Sequence, residues 1–343
     1  MSIEVLKPGP LSSLQDLGRT GVQRFGVIAS GVMDEWSHRV ANLLAGNAAD
    51  EASLEITLMG PSLLFHQDAL IAIVGADLSP RIGDQALPMS EPVRVPAGSR
   101  LDFGRRVFGC RAYLAVHGGF AVPAVMGSRS TYLRAGFGGL QGRALRKGDR
   151  LPIAPDAVGS GGPPIDFALA GAPHPGVPQH PGVHPHPGVH LHPAVHPHPA
   201  VHERPIRVIR GQQWSRFSAE AQARLFESPF VVNLNSDRMG YRLDGPGLAL
   251  LEPFEMISEA VGFGTVQVPP DGQPIVLMAD RQTTGGYPKI ASVASVDLPL
   301  LAQRVPGETL RFAPVTLDEA QALYLERERE FARIRQLIPS LKR

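Results

Sequence analysis

The chain has one cysteine, Cys110, so no disulfide can form within it. It also has almost no net charge, because 33 basic residues meet 32 acidic ones. That balance excludes a global basic field of the kind that draws a protein to nucleic acid or a membrane surface. No apolar run approaches the roughly 20 residues that span a bilayer. Met1–Lys7 lacks the basic segment and apolar core of a signal peptide, and the expected location is cytoplasmic. Three motifs are missing too: the Gly-x-x-x-x-Gly-Lys-Ser/Thr phosphate loop, the Gly-x-Ser-x-Gly nucleophile elbow and His-Glu-x-x-His. Cys110 falls where Phe108–Leu114 begins a strand, and reads as a small buried hydrophobe.

Glycine and proline are plentiful, and part of the excess has one source. From His174 to Glu203 the chain repeats with period six: HPGVPQ, HPGVHP, HPGVHL, HPAVHP, HPAVHE. Proline in every copy forbids helix and favours an extended polyproline form. Successive first histidines then lie about 19 Å apart, too far for one ion to bridge. The close pairs His184/His186, His190/His192 and His196/His198 can chelate a metal only if the segment bends. The plainer reading is a semi-rigid linker over residues 159–204, between halves at 1–158 and 205–343, with no metal site expected.

Both halves read as mainly β. Ser62–Phe65, Leu70–Val74, Arg111–Val116, Ile206–Ile209, Phe230–Leu234 and Ile275–Met278 are short apolar or alternating runs between turn signals. A glycine-led turn feeding an alternating strand recurs at Gly98, Gly148 and Gly307. Three helices are expected. Asp34 caps one over 35–45 that stops at Gly46, and Ser218 caps one through Phe226. Thr316-Leu317-Asp318-Glu319 is a capping box opening a charged C-terminal helix with Ala320, Leu323, Tyr324 and Phe331 toward a surface.

Two runs carry most of the chemistry. Met278–Lys289 places Asp280, Arg281, Gln282, Thr283, Thr284, Tyr287 and Lys289 around the pair Gly285-Gly286, after an apolar strand. The glycine pair permits positive φ and close approach of a ligand to the backbone. Asn233–Pro246 again combines Arg238, Tyr241 and Arg242 with Asp237. Guanidinium forks in both runs suit an anionic or amide-bearing ligand. The plainer alternatives are a polar hairpin, and a surface pair of Asp237 with Arg238 or Arg242. In the first half, Arg129 and Arg143 accompany glycine-rich runs (127–131 and 136–143) that can form an anion nest. Asp16 and Arg19 are expected to pair locally. His117 reads as a satisfied strand-end residue.

Taken together, LQDLGRTG, SGVMD, HRVANLLAGN, LEITLMGP, GADLSP, RAYLAVHGGF, GSRSTY, GFGGLQGRALRKGD, SDRMGYRLDGP, VQVPPDGQPIVLMADRQTTGGYPKIA and PGETLRF resemble the allophanate hydrolase subunit 2 group. That group is also called KipA-like or biotin-dependent carboxyltransferase-like. Two features depart from its pattern: the histidine repeat, and Gly211-Gln212-Gln213 in place of Gly-Pro-Gln. The resemblance implies two cyclophilin-like β-barrel domains with a site where they meet. It implies a partner like allophanate hydrolase subunit 1 or KipI. Three family roles are open. One is the C subunit of an ATP-dependent 5-oxoprolinase, acting with A and B subunits to open 5-oxoproline to glutamate. The others are carboxyl transfer from carboxybiotin to urea or another amide, and binding of a kinase inhibitor. The chain has no Met-Lys biotin acceptor, so the first role fits best. ATP and Mg²⁺ are then implied for the complex, with no covalent cofactor on this chain. On that reading Asp280, Arg281, Tyr287 and Arg238 are the expected catalytic residues. Gln267, Gln282, Thr283, Thr284, Lys289, Tyr241, Arg242, Arg129 and Arg143 are expected to bind the small-molecule amide.

Overall fold

The computed structural model describes residues 2–154 and 204–341. The hexad repeat and its metal-binding alternative therefore lie outside the described residues. In the first half, β1 (Ser2–Lys7) and β2 (Leu11–Gln15) precede the Glu35–Ala45 helix. They are followed by β3 (Ser53–Thr57), β4 (Ser62–Phe65), β5 (Ala69–Asp77), β6 (Pro80–Ile82), β7 (Gln85–Ala86), β8 (Pro92–Val95), β9 (Arg100–Phe103), β10 (Phe108–Val116) and β11 (Arg150–Pro152). These strands form two sheets, β11-β1-β4-β9-β6-β7 and β2-β3-β10-β5-β8. Between them lies a core that includes Ile3, Val5, Leu54, Ile56, Phe65 and Leu114.

The second half contains β12 (Ile206–Arg210), β13 (Phe230–Val232), β14 (Gly240–Asp244), β15 (Glu259–Ala260), β16 (Thr265–Gln267), β17 (Ile275–Leu277), β18 (Thr284–Gly285), β19 (Lys289–Val293), β20 (Thr309–Leu310) and β21 (Phe312–Pro314). Eight of them form one sheet in the order β20-β13-β14-β17-β16-β19-β12-β21, and β15 pairs only with β18. The fold is mainly β, with a nearly closed, barrel-like sheet and few helices. Each recurrent glycine-led turn feeds a strand, at β9, β11 and β20.

The helix caps follow their residues. Asp34 accepts from the Ser37 amide, and Gly46 closes that helix in the left-handed region. Ser218 accepts from the Ala221 amide ahead of the Ala219–Glu227 helix. Thr316 and Glu319 exchange the reciprocal bonds of a capping box before Leu317–Leu341. That last helix returns to the first half. Phe331 and Ile334 are buried there against Trp36, Val40 and Tyr113. Arg39 lies 3.8 Å over the Phe331 ring and forks onto Glu328 with two 2.7 Å bonds. Ala320 and Phe331 are buried as expected, but Tyr324 is exposed. Met33 crosses the other way and is fully buried in the second half's core.

His38 is buried on its helix with Nδ1 2.7 Å from Ser53 Oγ. Burial pulls its pKa down to about 4, against the pull of Asp16. Its ordinary value in an unfolded chain is about 6.5. Between these two values the unfolded chain binds a proton that the folded chain refuses. Stability is therefore full above about 6.5 and falls as pH drops toward 4. Denaturant unfolding at pH 7 and pH 5 should show the wild type losing about 2 kcal/mol more than His38→Gln over that interval. Parallel losses in the two proteins would rule His38 out as the source.

Candidate active site between the two halves

The strand Ser53–Thr57 is buried at every position, yet holds Glu55 between Leu54 and Ile56. A carboxylate at such a position needs strong partners. Glu55 Oε2 accepts from the Met33 amide and the Tyr113 hydroxyl, both at 2.8 Å. Its Oε1 accepts from Arg238 Nη1, which comes from the second half. Arg238 also forks onto Asp280, Nε to Oδ2 at 3.0 Å and Nη2 to Oδ1 at 3.1 Å. Nη2 further donates to the Gly31 carbonyl. Ser30 completes the set by donating to Asp280 Oδ1 at 2.7 Å. Burial disfavours the Arg238 charge, but Asp280 and Glu55 more than offset it and raise its pKa. The Asp280 amide donates to the Arg238 carbonyl at 2.7 Å, so the two charged loops are joined through backbone as well.

Two glycine-rich loops of the first half support this cluster from beneath. Asp16 accepts from the Ser128 and Ser130 hydroxyls at 2.6 Å each, and from the Arg129 and Gly18 amides. Burial works against the Asp16 charge, and these bonds hold its pKa below the usual carboxylate value. Arg19 feels the charge of Asp16, as expected of a local pair, but its hydrogen bonds go elsewhere. It donates to the Val125 and Ser130 carbonyls and packs 4.8 Å from the Phe137 ring centroid. The expected anion nest at 136–143 is filled from within. A Cβ on Gly138 would lie 2.3 Å from Arg19 Nη2, and the Gly136, Gly139 and Gly142 amides all bond to backbone carbonyls.

Next to Asp280, the chain runs beneath an exposed segment, residues 251–262. Lys289 is only 7% exposed, and its Nζ donates to Glu259 Oε2 at 2.8 Å, Gln212 Oε1 at 3.1 Å and the Ala260 carbonyl at 3.2 Å. Gln212 stands where the family pattern has proline, and here it supplies Lys289 with an acceptor. Arg281 is half-buried, reaching the Val261 carbonyl at 3.5 Å and the Met278 carbonyl at 3.4 Å. Burial lowers its pKa, with Asp280 opposing. Among the described residues Arg281 forms no ion pair. Gln267 is buried and donates to the Tyr287 carbonyl, while the Tyr287 ring is exposed. Gln282 and Thr283 are half-buried, and Thr284 is exposed on β18. The structure thus brings Lys289, Arg281, Gln267 and the 282–287 turn into one region adjoining Arg238 and Asp280.

Other expected ligand residues are engaged elsewhere. Tyr241 is a buried strut, accepting from Arg111 Nη1 and donating to the Arg304 carbonyl. Arg242 alternates to the outer, exposed face of β14. Arg143 forks onto Asp149 at 2.7 and 2.8 Å. Arg129 reaches Glu51 and the Val122 carbonyl. Asp237 turns onto the Met239 and Gly240 amides instead of pairing with an arginine. The glycine pair has a different purpose from the expected one, since neither Gly285 nor Gly286 has positive φ. A Cβ on Gly285 would lie 2.6 Å from Gln267 Nε2, and one on Gly286 would lie 3.3 Å from Ser258 Oγ. Glycine is needed here so that the turn fits between Gln267 and the overlying segment. Cys110 is buried, and burial pushes its thiol pKa up, against nucleophilic use. His117 Nδ1 lies 2.7 Å from the Ala45 carbonyl, the satisfied arrangement expected.

The model of the carboxyltransferase domain, subdomain A and B, matches residues 25–314. The chain belongs to this family. Within it, the chain is 37% identical over 336 residues to the 5-oxoprolinase C subunit of Haemophilus influenzae, covering 98% of each protein. It is 36% identical to the 5-oxoprolinase C subunit of Escherichia coli K12, over 97% of each. The crystal structure of Kluyveromyces lactis urea amidolyase matches with a TM-score of 0.81 and 32% identity, over 97% of this chain and 20% of that one. This carboxyltransferase-family chain therefore spans one fifth of the urea amidolyase. Among the described residues, no helix is long and apolar enough to cross a membrane.

Arg238→Met would leave Glu55 and Asp280 buried without their shared cation. A loss of about 3–5 kcal/mol in denaturant unfolding is expected. Neutralising all three, with Glu55→Gln and Asp280→Asn added, should recover part of that loss. A single Arg238→Met variant as stable as wild type would show that the cluster carries no such constraint.

Proposed function

We propose that this chain is the C subunit of an ATP-dependent 5-oxoprolinase. The observation that carries the reading is the end-to-end match to proteins of that name, 98% of both chains. The match to urea amidolyase of Saccharomyces cerevisiae instead covers only 17% of that protein, at 31% identity. On this reading the chain works with A and B subunits in the cytoplasm.

Opening a lactam builds negative charge on its carbonyl oxygen, and cations in a water-poor site stabilise that charge. Lys289 and Arg281 are placed to supply them, with Gln267, Gln282, Thr283 and Thr284 nearby to orient the amide. Arg238 has the different task of holding Asp280 beside Arg281. The Tyr287 phenol is exposed and available for proton transfer. Among the described residues no group of three or more His, Cys, Asp or Glu is arranged to hold an ion. Asp280 and Glu55 are both committed to Arg238. ATP and Mg²⁺ belong to this proposal as requirements of the complex, and no step is routed through them on this chain.

The family description favours one second reading, carboxyl transfer to an amide nitrogen, in which the same region holds a ureido ring. The deciding assay is ATP-dependent conversion of 5-oxoproline to glutamate by purified A and B subunits, with and without this chain. Conversion that requires this chain is expected. An assembled, ATP-competent complex that leaves 5-oxoproline intact would reject the reading and favour carboxyl transfer or partner binding.

A further inference from the structure

The segment over Lys289 and Arg281 is unusual in its anchoring. From Leu251 to Ala260 no residue is buried, and Ile257 is 89% exposed. Its regular attachment is a two-residue pairing, Glu259 with Gly285 and Ala260 with Thr284. At its far end the segment is tied to Arg216, whose carbonyl accepts from the Leu251 amide at 2.9 Å and whose guanidinium reaches Glu252 at 3.5 Å and lies 4.9 Å from the Phe254 ring centroid; at the site end one further backbone bond runs from the Val261 amide to the Thr283 carbonyl at 3.2 Å. What the segment offers the site is a row of acceptors. The Glu259 carboxylate and Ala260 carbonyl go to Lys289, and the Val261 carbonyl goes to Arg281. A carboxylate and neighbouring amide carbonyls are thus presented by three consecutive residues to two cations. Lys289 is almost fully buried, while the Glu259 side chain is 49% exposed. The cation is fixed in the fold, and its partner is the more easily released of the two.

We propose that Glu259–Val261 is a self-ligand. It fills a subsite for a carboxylate joined to an amide, and it lifts away when such a molecule binds Lys289 and Arg281. The identity of that molecule as 5-oxoproline, a cyclic amide bearing one carboxylate, rests on the function proposed above. The subsite itself rests only on the geometry. Lifting the flap would take Ser258 and Met256 away from Gly286, while Gly285 stays packed against Gln267. Glu259 therefore competes with the substrate carboxylate, and removing its charge should make binding tighter, not weaker. A purely structural salt bridge would behave in the opposite way.

The test is calorimetric titration of the full chain, wild type and Glu259→Gln, with 5-oxoproline, glutarate and 2-pyrrolidinone. Hydrogen exchange at the Val261 amide is measured alongside. Glu259→Gln should bind 5-oxoproline roughly threefold to tenfold more tightly, the range expected for losing one partly exposed ionic competitor. Val261 exchange should quicken. Binding of 2-pyrrolidinone, which lacks the carboxylate, should not respond to the substitution. Lys289→Met, checked for an unchanged unfolding midpoint, should abolish the preference for 5-oxoproline over 2-pyrrolidinone. If glutarate alone gains affinity in Glu259→Gln, the self-ligand stands and 5-oxoproline is removed as its substrate. If no carboxylate gains affinity and Val261 exchange is unchanged, the self-ligand is overturned, whatever the assembled complex hydrolyses.

Discussion

The structure depends on one buried cation. Arg238 is 4% exposed, and an arginine cannot escape burial by losing its proton at ordinary pH. The fold brings two carboxylates to it. One comes from Asp280 in the next loop of the same half, and the other from Glu55 in a central strand of the other half. Glu55 also holds the Met33 amide, and the Met33 side chain ends in the second half's core. Charge and apolar packing thus cross the same boundary at the same place. Separating the halves would strand a guanidinium and two carboxylates, so the relative position of the two halves is tied to the position of Asp280 and of its neighbour Arg281.

Much of the secondary structure was legible because local chemistry determines it. Asp34, Gly46, Ser218 and the Thr316–Glu319 box act within four residues of themselves, and the alternating strands declare their own faces. The charged residues were harder to place, because their partners are remote. Arg238 meets Asp280 across 42 residues and Glu55 across 183. Local pairing with Asp237 was the natural expectation, but Asp237 caps its own turn. One signal for Glu55 was present: a lone carboxylate flanked by Leu54 and Ile56 in a strand with no other charge. Tyr241 and Arg242 show the same limit. Adjacent residues on one strand point to opposite faces, so a shared motif does not imply a shared ligand.

Glycine was the most ambiguous signal. The runs at 136–143 and 285–286 looked alike as flexible, ligand-approaching turns, but their causes differ. Gly138 has positive φ and makes room for the Arg19 guanidinium, so that loop is a mould around the protein's own side chain. Gly285 and Gly286 have ordinary backbone angles and are small because chain lies on both sides of them. Only in the second case is part of that packing, at Gly286, made by the exposed segment 251–262.

The cations divide along the same line. Arg238 is held by two buried carboxylates and a carbonyl, Arg143 by a bidentate Asp149, and Arg39 by a bidentate Glu328 with an aromatic face. A ligand reaching any of these must displace a carboxylate fixed in good geometry, and would leave that carboxylate unpaired. Lys289 and Arg281 differ in kind. Their acceptors come largely from one exposed segment, through carbonyls and a single half-exposed glutamate. Released into water, those acceptors are solvated again at little cost, whereas the carboxylates around Arg238 would not be. An exchangeable cation can be recognised by the fate of the partner it gives up, more than by its own burial or charge. By that criterion Lys289 and Arg281 are the exchangeable cations of this region, and Arg238 is the fixed one.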